Sequence, residues 1–363
     1  MNKQILNLGA LIVASLFFAN CSNNDDSTYV DPNANLFTEV LNNVPTNVIT
    51  DTYKQLNEKA MALKNAINTL AITPDEANLA AVKAAWQATR SPWEQSESFL
   101  YGPVGIEEVV DPAIDSWPVD VAAINTIISN SAPITAASLE TNDDARGFHT
   151  IEYFVWGING NKAATALTAR ELEFLKAAAD DLQRNTQKLY DAWKTSGSNA
   201  GSFANQFINA GQSGSQYVSQ KAALAEIVEG LFGIADEVAS GKIETPLNGN
   251  AGAAKPEAEE SRFSNNSKLD FANNIRSIQN VYTGDFDDTS GKGISDIVIL
   301  TNPTLDAIIK AKITAAIEAI EAIPGTFTQA ISNNRAQVQN AQQKVDELKI
   351  ALESQLFPFI NNL

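Results

Sequence analysis

Apolar residues recur at spacings of three and four along almost the whole chain, and the strict alternation of a half-buried strand is rare. That period gives helices with one apolar face each, and such faces are buried by packing helix on helix. The fold class expected is therefore all-α. Start signals punctuate the pattern. Thr73-Pro74-Asp75-Glu76 offers a cap, a proline at the first position and a glutamate three after the cap. Thr168-Ala169-Arg170-Glu171 is a second capping box, and Asn302-Pro303 opens another helix. Together these place helices at about 36–70, 75–101, 119–130, 143–157, 168–196, 203–241, 262–282, 303–323 and 326–357.

Two stretches interrupt the pattern. Gly102 to Pro118 is rich in proline, glycine and carboxylates, and Leu247 to Ser261 reads as an exposed loop of Gly, Ala, Asn and Glu. The helices before Tyr101-Gly102 and before Thr283-Gly284 end alike and run into Gly- and Asp-containing loops. This echo suggests two related, pseudo-symmetric bundles meeting face to face. The expected division is an N-terminal helical domain over roughly 35–165 and a C-terminal bundle over roughly 166–363, with the site at their interface.

The chain begins with a segment that reads as an export signal over residues 1–20. A short basic start leads into the apolar run Ile5 to Ala19, which is short against the roughly 20 residues of a membrane span. The only cysteine, Cys21, follows directly. The arrangement resembles the lipobox of bacterial lipoproteins, although the leucine expected before the cysteine is missing. The resemblance implies lipid attachment at Cys21 and anchoring to the cell envelope, at an outer membrane and facing the surface or the periplasm. The polar, acidic residues Ser22 to Ser27, in a tether over 21–34, resemble the surface-export signal of Bacteroidetes lipoproteins. One cysteine leaves no internal disulfide, so stability has to come from packing.

Asp and Glu number 43 against 25 Lys and Arg, for a formal net charge of −18. Nucleic acid and anionic membrane surfaces are poor partners for such a chain, and cations and metal complexes are better ones.

His149 is the only histidine. It stands in Gly147-Phe148-His149-Thr150-Ile151-Glu152-Tyr153, where His149, Glu152 and Trp156 share one side of a helix beside an apolar stripe of Phe148, Ile151 and Val155. Asn142 or Asp143 is placed to cap that helix. Gly147 costs about 1 kcal/mol in a helix interior, so it suggests the close approach of another backbone or of a ligand. His149 and Glu152 can hold one metal ion, work on one substrate, or simply pair in the core. A double-histidine zinc motif is impossible here. Upstream, Trp86, Arg90, Trp93 and Glu97 fall at i, i+4, i+7 and i+11. Pro92 is expected to kink or restart that helix, with Ser91-Pro92-Trp93-Glu94 as a capping box. Arg90 between tryptophans and carboxylates needs partners if buried. Asp285 to Gly291 has the composition of a calcium loop, but its glycine is one place late and position twelve is Asp296, so the match fails.

Gly147-Phe148-His149-Thr150-Ile151-Glu152 resembles the GxHxxE motif of imelysins. The series Trp86, Arg90, Trp93-Glu94, Glu97, Phe99 and Gly102-Pro103 is similar to the early helix of that family. Asp115-Ser116-Trp117-Pro118 resembles its Asp-x-Trp-Pro loop, and Glu260 to Asn274 with Tyr282-Thr283-Gly284 resembles its second half. The resemblance covers roughly 35–360. It implies two helical bundles with the motif between them. It also implies two competing activities, peptide cleavage and a part in iron uptake.

The donors weigh between them. A zinc peptidase needs about three protein ligands and an activated water, and HxxE carboxypeptidases add a later histidine that this chain lacks. One histidine with several carboxylates suits iron or another oxygen-preferring divalent metal better than zinc. The leading expectation is binding of iron or a small iron-containing ligand, with His149, Glu152, Glu94 and Glu97 as metal ligands. Trp86, Arg90, Trp93, Asp115 and Gly147 support the site, and iron-transport components are the expected partners. One alternative is a metallopeptidase using His149 and Glu152. Another is a lipoprotein that binds a partner without metal.

Overall fold

The computed structural model describes residues 34–104, 110–195 and 202–363. The export segment, Cys21 and nearly all of the tether lie outside the described residues, as does the centre of the Gly102–Pro118 stretch.

The described chain is helical almost throughout. α1 (Ala34–Asn43) passes through a π-helical turn (Val44–Ile49) into α2 (Thr50–Ile72). The turn widens at Pro45, which has no N–H for the ladder, and Thr50 N–H bonds to the Pro45 carbonyl. α2 buries Tyr53, Leu56, Leu63, Ile67 and Leu70 on one face. α3 (Glu76–Glu94) starts one turn-residue later than the sequence suggests. Asp75, not Thr73, caps it by accepting from Asn78 N–H. α3 also runs through Pro92 without a break. Ser91 therefore caps nothing, and the Glu94 carboxylate is free for another partner. A 3-10 turn (Glu97–Phe99) follows.

Then come α4 (Asp111–Asp115), α5 (Val121–Ser129), α6 (Ala136–Leu139), α7 (Gly147–Trp156) and α8 (Ala169–Trp193). The capping box at Thr168 and Glu171 forms as expected. α2, α3, α7 and α8 pack on one another as a first group.

The expected helix over 203–241 is broken. α9 (Ala204–Ile208) and α10 (Gln220–Asp236) are separated by turns in which Gly211 and Gly214 take positive φ. α10 continues through a second π-helical turn (Glu237–Ile243) into α11 (Glu244–Asn248). α12 (Ser267–Thr283), α13 (Ile294–Thr301), α14 (Pro303–Glu321), α15 (Phe327–Asn333), α16 (Arg335–Ala351) and α17 (Phe357–Asn361) complete the chain. Asp285–Phe286 and Thr289–Ser290 pair as a two-stranded antiparallel hairpin, which is what the calcium-like stretch becomes. α10, α12, α14 and α16 form a second group.

The groups meet where α12 packs along α3 and where α10 meets the Glu97–Phe99 turn. Asn33–Leu363 is nevertheless one compact unit. A boundary at residue 165 does not separate the groups, because it falls between α7 and α8, which pack together. The internal echo is partial. Gly102 and Gly284 both take positive φ, but α12 runs straight into Gly284 while α3 stops eight residues before Gly102.

Candidate functional site

The site is assembled by a close approach of backbones. Gly147, the first residue of α7, has φ +74°, and a Cβ there would stand 2.3 Å from the Ile114 carbonyl oxygen. Only glycine lets the end of α4 lie against the start of α7. Asn142 caps the short 3-10 turn before α7 rather than α7 itself, which has no side-chain cap. The consequence is that Asp115, at the end of α4, reaches His149, in the first turn of α7.

His149 and Glu152 are fully buried. His149 Nδ1 lies 3.0 Å from Glu152 Oε2. Glu152 Oε1 accepts from the Ser264 N–H and hydroxyl, both at 2.7 Å. Both oxygens of Glu152 are thus engaged, and they fix the ring from behind. The other nitrogen faces differently. Nε2 lies 3.1 Å from Asp115 Oδ1 and 3.6 Å from Glu260 Oε1, yet it is aligned for a hydrogen bond with neither. The Trp117 ring stands edge-on to the imidazole at 4.9 Å between centroids. Burial alone would lower the imidazole pKa. The close carboxylate of Asp115, with those of Glu152 and Glu260, outweighs it and holds the pKa well above the ordinary histidine range.

Arg90 is the hub of the carboxylates. Its guanidinium is fully buried and contacts Glu94 and Asp115, with Glu260 at 2.7 Å and Asp270 at 3.3 Å. It lies over Phe148 and Trp86 at 5.0 and 5.8 Å from the ring centroids. Trp93 Nε1 donates to Asp115 Oδ2 at 2.5 Å, and Trp86 Nε1 donates to the Phe148 carbonyl. The tryptophans therefore fix the acid and the α7 backbone. Against the pull of burial, Arg90 and His149 keep the Asp115 carboxyl below its ordinary range. Burial pushes Asp270 up to about 6, with Arg90 opposing.

Lys242 gathers the remaining acids. Its Nζ lies 3.0 Å from Glu97 Oε2, 3.2 Å from Glu260 Oε2 and 3.6 Å from Glu94 Oε2. Asn274 Nδ2 donates to Glu94 Oε2 at 2.6 Å and to Glu97 Oε2 at 3.2 Å. Burial holds the Glu97 carboxyl well above the usual range, with Lys242 opposing. Six carboxylates, Glu94, Glu97, Asp115, Glu152, Glu260 and Asp270, thus face two permanent cations and one histidine. A cavity of about 550 Å³ adjoins them, lined by Glu97, Asp111, Asp115, Trp117, Lys242 and Glu260 among others. Asp115 and Glu260 belong both to its wall and to the surroundings of His149.

Comparison with known proteins agrees with this architecture. The imelysin (peptidase M75) family model matches residues 49–352. The chain belongs to the imelysin family. It is 29% identical to the iron-regulated protein A of Synechococcus elongatus over 99% of this chain and 94% of that protein. The crystal structure of a putative iron-regulated protein A precursor from Parabacteroides distasonis superposes with a TM-score of 0.78 at 29% identity, covering 90% of this chain and 95% of that one. An imelysin-like protein from Psychrobacter arcticum shares the fold, with a TM-score of 0.72 at 16% identity over 92% and 98% of the two chains.

In this imelysin the residues named from sequence fall into distinct places. Asp115, expected only to support the site, comes closest of the carboxylates to the open nitrogen of His149. Glu152, expected as a metal ligand, orients the ring instead. Glu94 and Glu97 lie together with Asp115, with ligand atoms within 4.8 Å of one another, but His149 is grouped with Asp115 and Glu260. Glu260, Lys242, Asp270 and Asn274 escaped the reading from spacing. Glu260 sits in the stretch read as an exposed loop. The adjoining Glu259 is fully buried there, bonded to Ser267 and Thr328. The available signal was Glu259-Glu260-Ser261-Arg262, a charged run immediately before a helix.

Proposed function

We propose that the imelysin site binds a divalent metal ion, iron in the first instance, through His149 Nε2, Asp115 and Glu260. The observation that carries this reading is the fully buried Nε2, which faces Asp115 Oδ1 at 3.1 Å and Glu260 Oε1 at 3.6 Å and which an ion would take by displacing its proton. Two donors on one ion, each about 2.0–2.2 Å from it and at right angles, stand about 3 Å apart. A nitrogen and two carboxylates form a set suited to ferrous iron or manganese. Each carboxylate oxygen has two lone pairs, so Asp115 and Glu260 can keep their contacts with Arg90 and still face an ion. Glu152 fixes the ring through Nδ1, the outer support that metal-bound histidines usually have. The bound metal would be cargo or cofactor held in a largely buried, acidic site beside the cavity.

Support also comes from the relative's name, which describes regulation by iron. Glu152 is fully buried and absent from the lining of the cavity, which weighs for binding over peptidase chemistry, since a general base has to reach its water. In the same reading Cys21 carries the lipid, the chain serves at the cell envelope, and its partners are iron-transport components. Palmitate labelling that persists in Cys21→Ser would remove that anchor. For the metal, calorimetric titration with ferrous iron under anaerobic conditions should give a binding isotherm that collapses in His149→Ala. Equal affinity in the two proteins would falsify the assignment.

A further inference from the structure

Lys242 stands out as the one cation of the cluster that borders the cavity. Three carboxylate oxygens from two parts of the chain converge on its single nitrogen, at 3.0, 3.2 and 3.6 Å. Two of those acids, Glu94 and Glu97, also lie with Asp115 as a group whose ligand atoms are within 4.8 Å of one another. Glu260 is shared. Its Oε1 faces His149 and Arg90, and its Oε2 faces Lys242. There are thus two cation positions, one on each side of Glu260. The first has His149 Nε2 facing it, 3.1 Å from Asp115 and 3.6 Å from Glu260. The second holds an ammonium group.

Arg90 and Lys242 are not equivalent. Arg90 is locked by four carboxylates and two aromatic rings, with no exposure. Lys242 is a point charge on a flexible stem, its side chain 9% exposed and on the cavity wall. It rises from a π-helical turn, Glu237–Ile243, a distortion frequent at functional sites. We propose that Lys242 is a tethered counter-ion: it fills a second cation position, formed by Glu94, Glu97 and Glu260, and so limits the site to one bound metal ion. This rests on the reading of His149, Asp115 and Glu260 as the first position.

Equilibrium dialysis of the full chain against manganous ion tests the proposal, with bound metal per chain measured for the native protein, Lys242→Met, Lys242→Arg and His149→Ala. The native protein and Lys242→Arg should bind one ion, and Lys242→Met two. His149→Ala should lose the ion of the native protein. If Lys242→Met does not fold, Lys242→Gln, which removes the charge but keeps a polar side chain among the three acids, takes its place and should likewise gain the second ion. One ion bound with native affinity in the Lys242 variant overturns the proposal and leaves the first position standing. An ion bound by the Lys242 variant but not by the native protein supports the counter-ion role and overturns the first position as a native site. Absence of binding in every protein overturns both.

Discussion

At the scale of single residues, His149 is held by unequal neighbours. Glu152 is tied by Ser264 and acts from the Nδ1 side, while Asp115 is tied by Arg90 and Trp93 and faces Nε2. Removing the ring leaves Glu152 buried beside an empty space and deprives Asp115 of one of its two cationic neighbours. Breaking a buried pair in this way costs about 3–5 kcal/mol, so His149→Ala should lose stability of that order in urea unfolding of metal-free protein. A loss below about 1 kcal/mol would show that the pair is energetically idle. Asp111 gives a pH signature. It lies on α4 at the cavity wall, facing Asp115, Glu237 and Glu260, with Lys242 as the opposing cation, and burial with these neighbours raises its carboxyl to about 7. Its unfolded value is about 3.9. Between those values the folded chain holds the extra proton, so stability contributed at Asp111 falls as pH rises from about 4 to 7. Asp111→Asn should therefore gain on the native protein across that window, measured as unfolding free energy against pH. A difference independent of pH would assign the effect to something other than this proton. The importance of His149 was legible because it is unique and has Glu152 three residues on. Lys242 was not, and Glu260 was marked only through the family resemblance, because their contacts join positions far apart in sequence and spacing arguments see only neighbours along one helix.

At the scale of elements, the decisive joint is between α4 and α7. Most helices follow directly from their apolar period, and the Thr168 capping box forms where its sequence stands. The error at Ser91-Pro92-Trp93-Glu94 has a physical cause. The four residues fit a helix start, but Arg90 and the buried tryptophans hold the chain helical through Pro92, and the Glu94 carboxylate goes to Arg90 and Asn274. Tertiary pairing outcompeted a local cap. The break at 209–219 has the opposite origin, since Gly211 and Gly214 take conformations that no helix contains. Gly147 was recognised as a point of close approach, though at the start of α7 and not inside it. Replacing it with alanine puts a side chain at φ +74° and 2.3 Å from the Ile114 carbonyl. Strain of this kind costs about 1–3 kcal/mol before the clash is counted. Gly147→Ala should therefore lose about 2 kcal/mol or more in thermal or urea unfolding, and it should weaken metal binding by moving Asp115 away from His149. Native affinity in a well-folded Gly147→Ala would mean that the α4–α7 contact does not set the site.

At the scale of the whole molecule, the buried charges join the two helical groups. Arg90 on α3 contacts Asp270 on α12, Lys242 follows α10 and contacts Glu97 beyond α3, and Asn274 on α12 bonds to Glu94. The order of the segments suggested two bundles, whereas Asn33–Leu363 is one compact unit in which two groups of helices pack together. The division between the groups was not legible, since α8 follows a loop in sequence but packs against α2 and α7, and only packing assigns it to the first group. A metal held by His149 and Asp115 from one group and Glu260 from the segment leading into α12 bridges that junction. Its binding energy is then available only to the assembled pair, not to either group alone. Saturation at a hundredfold excess over Kd should raise unfolding free energy by about 2.7 kcal/mol. The gain should appear as slowed amide exchange in α7 and α12 together, because opening either side releases the ion. His149→Ala should abolish both the gain and the slowed exchange. Protection confined to α7, with α12 exchanging as in the metal-free protein, would show that Glu260 does not share the ion and that the metal does not bridge the two groups.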